Sequence, residues 1–455
     1  MAFVIVIVLL VVISVVFHFY SVYGDYWFTP IASEWGSIDF TIDITFWVTG
    51  FVFVAINLFM AYAVYRFRYN KDRRAHYEPE NKKLETWLTL ATAVGVAALL
   101  APGLYVWAVF VEPPEDADVF EAVGQQWQWN FRYPGEDGVL GTADSKFVSP
   151  TNPLGVNPDD PFGRDDYIVE GPVMHLPLNR PVKALLRSKD VLHDFAVAEF
   201  RVKMDLVPGL VSYLWLTPNK AGTYDILCEE LCGIGHHIMR GRVVVEEQAD
   251  YDAWLETLPT FADTQARVAG DANAGQGAYA ICGSCHGAQG EGNLALNAPK
   301  IAGQEPWYIK RQLDYYKRGI RGTHPEDVAG QTMAPMASTL TTEKAVNDVA
   351  AYIASLPDDP AEETINGNVI RGKQYFDATC GICHAEDGSG VWAVNAPSLA
   401  GMSDWYLAKQ LDNYKKGIRG HHREDDYGYQ MVSMVTALKD EKAINDVVAY
   451  INTLR

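Results

Sequence analysis

The stretch CEELCGIGHHIM, residues 228–239, sets two cysteines four positions apart and follows them with a histidine and a methionine. Cys228, Glu230, Cys232, His236 and Met239 thus form C-x-E-x-C-x3-H-x2-M. Two thiolates on one loop can bridge two copper ions, and an imidazole and a thioether can cap them. Such a centre calls for a second imidazole from elsewhere. His193, in DVLHDFAV, is the candidate because it closes a strand-like run ahead of the loop. His237 reads as a plain loop histidine, and His175 has no partner nearby in sequence. Around the loop, residues 114–248 alternate short apolar runs (HLPLNRPVKALLRS, FAVAEFRV, SYLWLTP, GRVVVEE) with turn signals. That spacing predicts an all-β sandwich or barrel. Asp137 to Gly171, rich in Pro, Gly, Asp and Asn, reads as a long surface excursion.

The other four of the chain's 6 cysteines lie in CGSCH (282–286) and CGICH (380–384), so none remains for a structural disulfide. C-x-x-C-H attaches a c-type haem: the cysteines form thioethers with its vinyl groups and the histidine ligates the iron. Cys282, Cys285 and His286 serve one haem, and Cys380, Cys383 and His384 the other. The two motifs sit in a repeat. IAGQEPWYIKRQLDYYKRGIRG (301–322) recurs as LAGMSDWYLAKQLDNYKKGIRG (399–420), and AVNDVAAYIASL (345–356) as AINDVVAYINTL (443–454). Every match shares an offset of 98 residues. Two copies at that spacing are a duplicated domain, helical by the i, i+3, i+4, i+7 pattern of the last segment. Candidates for the sixth iron ligand also come in pairs at the offset: Met333/Met431, Met336/Met434 and His324/His422. The shared Trp307/Trp405, Tyr308/Tyr406 and Tyr352/Tyr450 read as haem packing and core.

The chain has 455 residues, too many for one domain, and a formal charge of −20 that argues against nucleic acid as a partner. Three apolar runs come first: Phe3 to about Tyr20, Ile44–Val64 and Trp87–Phe110, the last interrupted by Pro102 and Gly103. The second and third have the roughly 20 apolar residues that a membrane crossing needs. The loop between them, Arg66–Lys83, is rich in Lys and Arg, which places it in the cytoplasm and everything after Phe110 outside. The first run lacks a preceding basic residue and an Ala-x-Ala site after it, so an uncleaved helix fits better than a signal peptide.

Together, the two spanning runs, GQQWQWNFRYP (124–134), DVLHDFAVAEFRVKMDLVPG (190–209) and the copper loop resemble subunit II of the haem–copper cytochrome c oxidases over residues 40–248. The repeat resembles dihaem class I c-type cytochromes. The resemblance implies transmembrane helices, then an all-β cupredoxin-like sandwich, then two all-α cytochrome c domains. The expected bounds are 1–22 (membrane helix or signal anchor), 40–112 (helix hairpin), 113–250 (copper domain), and 270–357 and 366–455 (cytochrome domains). It implies a dinuclear CuA held by His193, Cys228, Cys232, His236, Met239 and the Glu230 carbonyl, with the Glu230 carboxylate reaching a magnesium ion shared with subunit I. Trp127 would mark the surface where electrons arrive, and Glu85 the mouth of a proton path. In such cytochromes the distal methionine stands seven residues before a leucine that opens the last helix. Met333 precedes Leu340 and Met431 precedes Leu438 by that interval, which selects them over Met336 and Met434. Methionine ligation also raises the haem potential, which suits a donor to copper and disfavours His324 and His422.

The resulting expectation is a bacterial inner-membrane subunit with its redox domains on the periplasmic side. It would pass electrons from a cytochrome c or a cytochrome bc-type complex, through two haems c and CuA, to the oxygen-reducing centre in subunit I. A CuA-type nitric oxide reductase subunit and a stand-alone electron carrier are the alternatives. A quinol oxidase is disfavoured because the copper ligands are retained.

Overall fold

The computed structural model describes residues 2–22, 29–74, 77, 79–169, 171–266 and 269–454. Three helices lead: α1 (Ala2–Val22), α2 (Gly36–Arg66) and α3 (Lys82–Phe110), each long and apolar enough to cross a membrane. Their apolar side chains point outward, as Phe51 (75% exposed) and Trp87 (72%) illustrate, so lipid or another subunit is their natural cover. Pro102 is accommodated inside α3 without ending it. α1 runs beside α2, with the His18 ring 5.7 Å from Phe46. The expected hairpin start at residue 40 falls inside a helix that begins at Gly36. Spanning about 46 Å at 1.5 Å per residue, α2 is longer than a ~30 Å hydrocarbon core, and its first turn reaches the next domain. There Trp35 Nε1 donates to Trp215 O at 3.2 Å, the Trp35 ring meets Trp215 and Phe110, and Arg201 pairs with Asp39 at 2.7 Å.

The next ten strands are β1 (Asp118–Gln125), β2 (Gln128–Tyr133), β3 (Tyr167–Val169), β4 (Val173–Pro177), β5 (Val182–Ser188), β6 (His193–Val197), β7 (Val202–Leu206), β8 (Ser212–Leu216), β9 (Gly222–Leu227) and β10 (Arg240–Glu246). They form two five-stranded sheets, ordered β3-β2-β1-β5-β8 and β4-β10-β9-β6-β7. Phe120, Trp129, Phe131, Leu186, Phe195, Leu214 and Ile226 fill the space between them. The β-sandwich expectation therefore holds.

The excursion is less superficial than its composition suggests. Leu154, Val156 and Ile168 pack with Val123 and Phe261 on the outer face of β1, forming a second small core. Asp166 is buried against Arg132 at 2.6 Å, and Arg132 also meets Glu121 at 2.9 Å. A run rich in turn residues hides these few anchors from any composition argument.

Two short helices, α4 (Gln248–Leu255) and α5 (Phe261–Ala266), lead to the repeat. The first copy holds α6 (Ala272–His286), α7 (Pro306–Lys317), α8 (Val328–Ser338) and α9 (Glu343–Ala354). The second holds α10 (Val369–Tyr375), α11 (Gly381–His384), α12 (Asp404–Lys415), α13 (Asp426–Met434) and α14 (Glu441–Ile451), with one wide π turn joining α10 to α11. In each copy the first and last helices cross at a glycine. A Cβ on Gly275 would stand 2.1 Å from Asp348 O, and one on Gly372 would stand 1.9 Å from Asp446 O. The chain then doubles back, so that the second copy lies against both the first copy and the sandwich.

Candidate redox centres

Strand pairing brings the sulfur loop and its distant histidine together. β9 ends at Leu227 and β10 starts at Arg240, so Cys228, Cys232, His236 and Met239 belong to the connection between them. β6 pairs with β9 through Ala196 and Leu227, which carries His193, the first residue of β6, to the foot of that connection. Cys228 Sγ lies 3.7 Å from Cys232 Sγ, 3.9 Å from His193 Nδ1 and 3.2 Å from Glu230 O. Cys232 Sγ lies 3.6 Å from His236 Nδ1 and 3.9 Å from Met239 Sδ. All six groups expected around copper therefore converge.

The donor chemistry fits two soft cations. The hydrogen bond between the two sulfurs holds the Cys228 thiol well below its ordinary range and drives Cys232 up, so the bare pair shares one proton. Two thiolates this close repel each other unless cations lie between them. Outside the sulfur cluster, His193 Nε2 is hydrogen-bonded to Asp190 Oδ1 at 2.8 Å, which turns Nδ1 toward the thiols. Asp190 also accepts from the Gln126 backbone at 2.7 Å. Trp127 Nε1 donates to Cys232 O at 3.1 Å, and its ring lies where a Cβ on Gly235 would be, 2.3 Å away. Only glycine at 235 lets the indole rest on the loop. Among the described residues, the metal-competent cluster of His, Cys and carboxylate groups is His193, Cys228 and Cys232, without the Glu230 carboxylate.

In the haem motifs, His286 Nδ1 faces Pro299 O at 2.7 Å and His384 Nδ1 faces Pro397 O at 2.8 Å. Each carbonyl takes the Nδ1 proton, which leaves Nε2 with its lone pair for iron. Burial lowers the pKa of both histidines, keeping them neutral and able to ligate. Burial pushes the Cys380 thiol to about 12 and Cys383 to about 11, the reverse of Cys228. Met333 packs against the first copy's core, while Met336 is 41% exposed. His324 and His422 each use Nδ1 to accept a backbone N–H two residues on, which is a turn-capping role. Glu85 is also a cap, accepting from Asn81 N at 3.3 Å at the start of α3. His175 pairs with Glu246 at 2.6 Å and stacks on Trp254, so its partners are structural.

Between the two copies lies a two-fold network. Arg321 donates to Gln312 (2.6 Å), Tyr406 (2.6 Å) and Gln410 (3.0 Å). Arg419 donates to Gln410 (2.8 Å), Tyr308 (3.2 Å) and Gln312 (3.0 Å). Tyr308 and Tyr406 thus act across the interface rather than only as core. Arg321 Nε, Arg311 Nε and Trp307 Nε1 are buried there without a partner. These three orphaned donors, two of them on guanidinium groups, match the carboxylates that a haem carries.

The second copy also meets the sandwich at the Trp127 backbone. Gln430 Nε2 donates to Trp127 O at 2.8 Å, and Cys383 packs on the cluster that contains Trp127, Cys228 and Cys232. Asn395 Nδ2 donates to Gln128 Oε1 at 2.8 Å. None of Asp190, Pro299, Pro397 or this contact was visible in the motifs. The prolines do recur at the offset of the repeat, a usable signal.

Comparison with known proteins agrees with this geometry. Residues 119–247 match the family described as cytochrome c oxidase subunit II, periplasmic domain, and 272–357 and 369–455 each match cytochrome c. The chain is 57% identical over 269 residues to the alternative cytochrome c oxidase subunit 2 of Bradyrhizobium diazoefficiens, covering 59% of this chain and 96% of that one. It is 30% identical over 226 residues to cytochrome c oxidase subunit 2 of Cereibacter sphaeroides, covering 46% and 74%. Its C-terminal part is 34% identical over 198 residues to cytochrome c4 of Stutzerimonas stutzeri, covering 42% and 91%. The chain belongs to the cytochrome c oxidase subunit II family and carries two cytochrome c domains behind that family's periplasmic domain.

Proposed function

We propose that this chain carries electrons into a terminal oxidase in a fixed order: first cytochrome domain, second cytochrome domain, copper loop, and then the oxygen-reducing centre of subunit I. The observation that carries the order is the seat of the second domain on the sandwich, with Gln430 on the Trp127 carbonyl and Cys383 against the sandwich core. From Trp127 one N–H···O bond leads to Cys232. The bound haems and copper supply reversible one-electron storage. The chain's residues hold them in a row and keep water out.

In this reading His193, Cys228, Cys232, His236, Met239 and the Glu230 carbonyl hold CuA. Cys282, Cys285, His286 and Met333 hold one haem c; Cys380, Cys383, His384 and Met431 hold the other. The Glu230 carboxylate takes the magnesium ion shared with subunit I, and Glu85 stands at a cytoplasmic proton-path mouth. α1–α3 anchor the chain in the bacterial inner membrane beside subunit I, and a cytochrome c or a cytochrome bc-type complex supplies the electrons.

The test is the purified complex. Two covalent haems and two coppers per chain, with a near-infrared copper band, are expected. On mixing the reduced complex with oxygen, the haem of the second domain should oxidise before that of the first; a Met431→His variant shifts the spectrum of one of them and tells the two apart. First-domain oxidation leading would sink the order. Faster turnover of nitric oxide than of oxygen would move the chain to a nitric oxide reductase.

A further inference from the structure

The two cytochrome copies present one loop to different surroundings. In the second copy, Ala393 O accepts from Gln128 Nε2 at 3.3 Å and from Gln125 Nε2, while Asn395 donates to Gln128. Residues 391–395 are half-buried there, as is Cys383. The first copy folds the equivalent loop identically. The Asn293–Ala298 bridge matches Val391–Ala396, and Asn297 (φ 54°) matches Asn395 (φ 58°) in the left-handed region. Yet residues 293–297 and Cys285 are all exposed. Leu294 and Leu296 are each 55% exposed where the second copy has Trp392 and Val394. The left-handed asparagine and the bridge define the turn, so the local fold does not account for two leucines facing water.

We propose that this face of the first copy, formed by Cys285, Leu294, Leu296 and Asn297, docks the protein that delivers electrons, in the way the second copy docks on the sandwich. The proposal rests on the order given above. The seated copy also indicates what the occupant looks like. The sandwich meets this loop of the second copy with the side chains of Gln125 and Gln128, both uncharged amides, while Arg242 pairs with Asp426 of α13 at 3.8 Å outside the loop. Residues 293–297 are uncharged as well. The occupant is therefore a one-electron carrier protein whose redox centre is rimmed by uncharged amide and apolar groups. It loses one electron, and the centre held by Cys282, Cys285 and His286 gains it, with no bond made or broken. Because residues 293–297 offer no charge for ion pairing, salt should affect the dissociation rate little.

The test uses the whole oxidase complex with a Leu294→Glu/Leu296→Glu variant and a milder Leu294→Ser/Leu296→Ser variant. Two protein probes are compared, a reduced monohaem cytochrome c and a reduced blue copper protein, with ascorbate and a small diamine mediator as reference. The ratio of protein-driven to mediator-driven reduction should fall about tenfold in the Glu variant, within the span usual for interface mutants, and less in the Ser variant. Ile370→Glu, at a residue 78% exposed in the second copy, should leave the ratio unchanged. An unchanged ratio for both probes in both leucine variants overturns the proposal. So does loss of chain self-association in the Glu variant with donor rates intact, since the face would then cover a second copy. Single-turnover reduction of the wild type separates the two readings: second-domain haem reduced first means the order is wrong. First-domain haem reduced first, at one rate in wild type and variant, means only the face is wrong.

Discussion

Asp190 decides how His193 meets the sulfurs, because the carboxylate that holds Nε2 sets which ring nitrogen faces them. Asp190→Ala should weaken copper binding about 10–100-fold, the usual effect of removing such an orienting partner. Chelator titration of the near-infrared band measures it; an unchanged midpoint would show that the ring is held by packing alone. Met333→Ala and Met431→Ala should each remove the methionine-to-iron charge-transfer band of one haem and lower that haem's potential. If the band survives, another residue is the ligand. The legible residues are those whose side chain is the donor and whose neighbours in sequence share the task, as in Cys228, Cys232, His236 and Met239. Asp190 was not legible because an Asp in a loop has many possible partners. Pro299 and Pro397 act through carbonyls, which every residue has.

Each cytochrome copy depends on the crossing of its first and last helices. Gly372→Ala should force α10 away from α14 and cost about 1–3 kcal/mol, typical of an overpacked contact. The same shift would disturb the bond from Asn368 N to Asp446 at 2.7 Å. Thermal melting followed at the haem band should show the second domain losing stability while the first keeps its midpoint; equal melting in variant and wild type would mean the crossing yields cheaply. The helices themselves were readable, since the repeat and its apolar period mark them. The strands were readable from alternating runs and turns. The anchors Leu154, Val156 and Asp166 were not, because burial there comes from the outer face of β1 and the distant Phe261 rather than from any local pattern.

Across the whole molecule, order along the chain and order in space part company. The domain farthest along the sequence sits on the copper loop, and no motif spacing encodes that. The charges at the junction make one consequence measurable. Arg419 is buried between the copies, and a buried cation favours the reduced, less positive state of a nearby haem. Arg419→Gln should therefore lower the reduction potential of at least one haem in spectroelectrochemical titration, and unchanged midpoints would place both haems out of its reach. The same junction is also symmetric. Arg321 reaches Tyr406 and Gln410 as Arg419 reaches Tyr308 and Gln312, so residue i meets j while j meets i. That reciprocity is the contact pattern of a two-fold, isologous interface. The tandem cytochrome is thus a symmetric pair within a single chain, and being one chain frees its halves to differ: one leaves its outer loop bare, while the other packs that loop on the copper domain.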